Sequence, residues 1–175
     1  MTILHLSDTH GKHRELTDMP SADILVHSGD FTMAGGDMEA LDFIEWLCDL
    51  PYKHKIFIAG NHDDCMLDAT LEGLPDDVHY LSDNGITIDG ISFYGTPMFV
   101  TFEDEDLKEI EHYEQIPDNI DILITHALLL VFWTVSMTNC ITAVPFYWIR
   151  SLKSNPRCTY SDTFMPHTGQ LTGKE

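Results

Sequence analysis

The sequence predicts an α/β protein in which successive strands end on residues able to hold a metal. Three observations carry that reading. Four short, strongly apolar stretches each stop at a run of metal-capable side chains. An amphipathic helical segment lies between the second and third of them. Further along, an Asp-Gly pair joins two more strand-like stretches. Strands joined both by helices and by a hairpin imply a mixed sheet or two packed sheets. Four buried strands of one sheet would line these side chains along one edge, outside the carboxyl ends where open α/β sheets bind ligands.

In chain order, Ile3–Leu6 leads into Ser7-Asp8-Thr9-His10-Gly11, and Ile24–His27 leads into Ser28-Gly29-Asp30. Asp37 is placed to cap a helix over Met38–Leu50, whose apolar positions Met38, Leu41, Ile44, Leu47 and Cys48 recur at three- and four-residue spacing. Pro51 helps to stop it. Ile56–Ala59 runs into Gly60-Asn61-His62-Asp63. Ile86–Ile88 and Ile91–Tyr94 flank Asp89-Gly90, a strong hairpin signal. The acidic run Glu103–Glu114, with Leu107 and Ile110, reads as an exposed helix before Pro117. Ile122–Ile124 then delivers Thr125-His126.

At 175 residues the chain is one domain by the usual size prior. Its formal charge of −20 is uneven: residues 1–126 hold 27 of the 29 acidic groups against five Lys/Arg. Such a body argues against sequence-independent nucleic-acid binding, which needs cationic side chains to neutralise phosphates. A phosphate-bearing substrate would therefore need positive charge from elsewhere, and bound metal ions supply it. Cys48, Cys65, Cys140 and Cys158 show neither CxxC pairing nor disulfide-like spacing. No secretory signal is visible, so a reducing cytoplasmic setting is the expectation.

Asp8 and His10, two apart after a strand, would point the same way in an extended stretch and could grip one cation together. Asp30 has two carboxylate oxygens and could bridge two cations, with Gly29 letting the backbone turn. Asn61 offers a neutral amide oxygen. His62 can then sit off the metal as a proton donor, with Asp63 available to orient its ring. His126 ends the last strand and can add an imidazole ligand.

In this order and after these strands, SDTHG, SGDFT, GNHD and ITH resemble the calcineurin-like metallophosphoesterases. The wording looks closest to the small metallophosphoesterase-domain (MPPED-like) branch. The resemblance covers residues 1–126. It implies two mixed β-sheets in a sandwich flanked by helices, a four-layer fold, with two divalent metal ions (Mn, Fe, Zn or Mg) at the strand ends. By that resemblance Asp8 and His10 hold the first metal, Asp30 bridges, Asn61 and His126 hold the second, and His62 protonates the leaving group. Two metals roughly 3.5–4 Å apart would clamp a phosphate and lower the pKa of bound water toward about 7, generating an attacking hydroxide.

The family pattern continues with a proline-rich turn and a Gly-His-x-His segment whose histidines complete the two metal shells. Neither stands in this chain, where the only later histidine is His167. Composition also breaks at Ala127: residues 127–149 carry no charge, and Arg150, Lys153 and Arg157 follow. That pattern resembles a membrane span, although Thr134, Ser136, Thr138, Thr142, Asn139 and Pro145 weaken it. The genetic code offers another explanation. If each true codon is the wobble base of one residue plus the first two bases of the next, Leu128–Phe132 can read PPGI. Cys158–Gly169 can read HLFGHIHAAYG. The expected division is thus a metallophosphoesterase domain over 1–126 and a frameshifted, aberrant tail over 127–175 in place of the rest of that domain, leaving the C-terminal part of the fold incomplete.

The leading functional expectation is a metal-dependent phosphodiesterase or small-phosphomonoester phosphatase acting on a small phosphate ester. A catalytically defective remnant with an incomplete metal site is the alternative. A membrane-tethered binding module using 127–149 is a lesser one, and no membrane association is expected.

Overall fold

The structure, a computed structural model, describes residues 1–67, 69–97 and 116–126, together with the backbone of strands at 140–142, 148–151 and 163–164. Strands β1 (Thr2–Leu6), β2 (Ile24–Ser28), β3 (His54–Ile58) and β4 (Val78–Tyr80) lie side by side and parallel. Their apolar runs are buried on both faces, as parallel strands covered on two sides must be. A second sheet has the order β5 (Asn84–Ile88), β6 (Ile91–Thr96), β7 (Ile122–Thr125) and β8 (Cys140–Thr142). β9 (Trp148–Ser151) pairs antiparallel with β1, and β10 (Thr163–Phe164) lies beyond it, so both sheets are mixed.

Two apolar layers hold this arrangement. Ile3, Ile24, Val26, Ile56 and Ile58 of the first sheet pack on Ile88, Phe93, Ile122 and Ile124 of the second. The opposite face of the first sheet meets α1 (Asp37–Asp49) through Leu4, Leu6, Leu25, Phe57 and the helix's Ala40, Phe43, Trp46 and Leu47.

That buried stripe differs from the expected one. Met38 and Leu41 are 76% and 57% exposed, while Phe43 and Trp46 turn inward. Phe43 stacks on Phe31 with centroids 4.3 Å apart and planes 10° from parallel, while Leu47 is buried as expected and Ile44 and Cys48 pack against the same core. Asp37 is not the cap either: Gly36 holds that position, with no side-chain cap bond. Instead Glu39 Oε2 accepts the backbone N–H groups of Met33 and Ala34, tying the entering loop to the first helical turn. At the other end Lys55, 2% exposed, donates from Nζ to the Leu50 carbonyl at 3.2 Å and pairs with Asp77 at 2.5 Å.

The hairpin forms as expected, with Ile88 opposite Ile91 and positive φ at both Asp89 (49°) and Gly90 (82°). Those angles match the right-handed twist of the flanking strands. Within 127–149, Cys140–Thr142 is a strand parallel to β7. Among the described residues no helix is long and apolar enough to cross a membrane. The expected acidic helix over Glu103–Glu114, and His167, lie outside the described residues.

Candidate metal centre

β1, β2 and β3 end side by side, and the loops that follow them carry Asp8, His10, Asp30, Asn61 and His62. β7 belongs to the facing sheet, so the four strand-ligand segments do not share one edge as expected. His126 reaches the group from across the sandwich. Two glycines permit that convergence. A Cβ on Gly29 would fall 2.6 Å from the Gly60 backbone nitrogen and 2.7 Å from His126 Nδ1, and one on Gly60 would collide with Asp30.

Three histidines are held in the same way. His10 Nδ1 lies 3.2 Å from the Thr32 carbonyl, His62 Nδ1 3.1 Å from the Met33 carbonyl, and His126 Nδ1 2.8 Å from the Ser28 carbonyl. A carbonyl only accepts, so each Nδ1 carries a proton, and in the neutral ring each Nε2 keeps its lone pair. Fixing the tautomer through a backbone carbonyl is the usual second contact of a metal-binding imidazole.

The Nε2 atoms turn toward oxygen acceptors. His126 Nε2 is 3.0 Å from Asn61 Oδ1 and 3.3 Å from Asp30 Oδ1. His10 Nε2 is 3.8 Å from Asp30 Oδ2 and 4.0 Å from Asp8 Oδ1. Lone pairs facing carboxylate and amide oxygens repel unless a positive charge stands between them, a proton or a metal ion. The donor set therefore fits divalent cations that accept mixed nitrogen and oxygen ligands. Two groups have donor atoms within 4.8 Å of one another: Asp8 with Asp30 and His126, and His10 with Asp30 and His62. Asp30 belongs to both.

Electrostatics follow this geometry. Burial pushes the Asp30 carboxyl upward, but hydrogen bonds from His126 and the His62 backbone N–H outweigh it and leave its pKa lowered. Burial likewise pulls His126 down, and Asp30 more than offsets it, so the His126 pKa is raised.

The structure changes the reason that Asp8 and His10 work together. Both have positive φ, 55° and 43°, so a tight turn rather than an extended stretch brings them to one side. Asp30 shares that conformation at 58°. Asp63 does not orient His62, whose ring is bonded to Met33. Fully buried, Asp63 accepts backbone N–H groups of Asp30, Gly60 and Thr32, each at 2.8 Å, and of Phe31 at 3.4 Å. One carboxylate thus clamps the β2 and β3 loops together. The carbonyls of Ser28, Thr32 and Met33 carry no residue-type signal in a sequence, because every residue has one.

Residues 1–141 match the calcineurin-like phosphoesterase family. A UPF0046 protein of Caenorhabditis elegans is 35% identical over 144 residues, which cover 69% of this chain and 51% of that protein. Metallophosphoesterase domain-containing protein 1 of Homo sapiens is 33% identical over 158 residues, covering 73% of this chain and 48% of that protein. The chain spans about half the length of these curated relatives. It belongs to the calcineurin-like phosphoesterase family.

Proposed function

We propose that this member of the phosphoesterase family hydrolyses a small phosphate ester, a phosphodiester or phosphomonoester, in the cytoplasm. The observation that carries the reading is the convergence of imidazoles with fixed tautomers on the shared carboxylate Asp30. Asp8 and His10 would hold one divalent cation, Asn61 and His126 a second, with Asp30 common to both. Cations there supply positive charge to a phosphate and acidify water at neutral pH. A net charge of −20 makes that local positive charge necessary for an anionic substrate, and it disfavours nucleic acid as a partner.

His62 is the exposed member of the group, and its ring is steadied by Met33. From that edge it takes a proton on Nε2 and gives it to the leaving-group oxygen. Asp63 serves the reaction only by holding the loops that carry Asp30 and Asn61.

A second reading has its own observation. The sequence lacks an in-frame Gly-His-x-His segment, and the proposed frameshift over 127–175 accounts for its absence. Such a chain would keep the scaffold and five ligands while binding metal weakly. Manganese-supplemented hydrolysis of an aryl phosphodiester by the chain and its His62→Ala variant separates the readings. A rate that drops by about 100-fold or more in the variant supports the enzyme. Equal background rates from both support the defective remnant.

A further inference from the structure

His27 sits in the middle of β2, fully buried, with its ring 4.8 Å from Phe43 and 6.1 Å from Phe31. An apolar side chain would fill that position without polar cost. The imidazole leaves Nδ1 buried and without a hydrogen-bond partner among the described residues. Its other nitrogen, Nε2, lies 3.1 Å from the hydroxyl of Thr9. A buried polar group that forgoes half its hydrogen bonds requires an explanation, and the bond to Thr9 is the one it makes among the described residues.

Thr9 stands between Asp8 and His10, both held at positive φ, a conformation that non-glycine residues seldom adopt. Backbone bonds from Asp8 to Gly29, His10 to Asp30 and Gly11 to Phe31 lay this turn along the β2 loop. They fix where the backbone runs. The Thr9 side chain is the one member of the turn anchored downward into the aromatic core beside α1.

We propose that His27 is a positioning residue: through Thr9 it holds the Asp8–Thr9–His10 turn in the strained form that presents two donors to Asp30. Burial keeps its ring neutral, consistent with a pKa pulled well below the usual value. The part of the proposal that concerns metal affinity rests on the metal-site reading above, while the part that concerns the turn does not.

The test compares the full chain with Thr9→Val, His27→Leu, His27→Gln and the double variant Thr9→Val/His27→Leu. Amide hydrogen exchange at Asp8, His10 and Gly11 is measured without metal, and Mn²⁺ affinity by the loss of free-ion EPR signal. Thr9 is half-buried at the surface, so its variant folds even if the core substitution does not. Faster exchange of the three amides and at least about tenfold weaker Mn²⁺ binding are expected in Thr9→Val and His27→Leu. Gln, whose amide reaches where Nε2 lies, should restore both, and the double variant should be no worse than either single one. Unchanged exchange in Thr9→Val, or effects that simply multiply in the double variant, would overturn the proposal. A wild-type chain that binds no Mn²⁺ would overturn the metal-site reading, and the exchange data would still decide the role of His27.

Discussion

His126 and Asp30 meet across the two sheets, Nε2 to Oδ1 at 3.3 Å, although 96 positions separate them in the chain. The contact joins β7 of one sheet to the loop after β2 of the other. It makes the sandwich itself, rather than any one loop, the frame of the candidate site.

The pair sets the pH dependence of metal binding. Asp30 raises the His126 pKa, so the metal-free protein keeps a proton on Nε2 to higher pH than an ordinary imidazole does. The contribution of His126 to metal-free stability is fully present below pH 6.5 and is lost as pH rises through the folded pKa. A cation must displace that proton. Mn²⁺ affinity is expected to rise with pH as His126 loses that proton, and an affinity that does not change with pH would contradict the pairing.

Asp63→Ala should act on stability before chemistry. Four backbone N–H groups in a fully buried setting would lose their acceptor. A loss of about 3–5 kcal/mol in urea unfolding is expected, on the scale of breaking a buried charged cluster. Unfolding unchanged within about 0.5 kcal/mol would contradict the clamp.

Acid should weaken the fold between pH 6.5 and about 4. His5 is buried, bonded to Ser28 Oγ at 2.7 Å, and burial lowers its pKa from 6.5 to about 4. In that window the unfolded chain binds a proton that the folded chain does not, so stability falls as pH falls. The gap corresponds to about 3 kcal/mol for this one group. Leucine at position 5 should flatten the profile measured by urea titration at stepped pH.

Coding DNA decides the origin of the tail. An alternate frame containing the Gly-His-Ile-His codons opposite Ser161–Met165 is expected. An alternate frame without them would reject the frameshift.

The strands, the hairpin and the ligand segments were legible because each rests on local chemistry: apolar runs that stop at Ser-Asp or Gly-Asn, and an Asp-Gly turn. Other features depend on long-range packing. The helix face could not be chosen until Phe31 of a neighbouring loop stacked on Phe43. Asp63 looked like a partner for His62 by adjacency, yet its acceptors serve a loop more than thirty positions away. The division of the ligand strands between two sheets was equally hidden, since sequence order alone does not say which strands pair.

In the proposed site Asp30 is the shared centre of two divalent cations. Anomalous diffraction from crystals soaked in Mn²⁺ locates the ions. Manganese peaks are expected within ligand distance of Asp30 and of His10 or His126, with His62 outside ligand distance of either ion. Manganese bound elsewhere, or no peak beside Asp30 at saturating Mn²⁺, would contradict that arrangement.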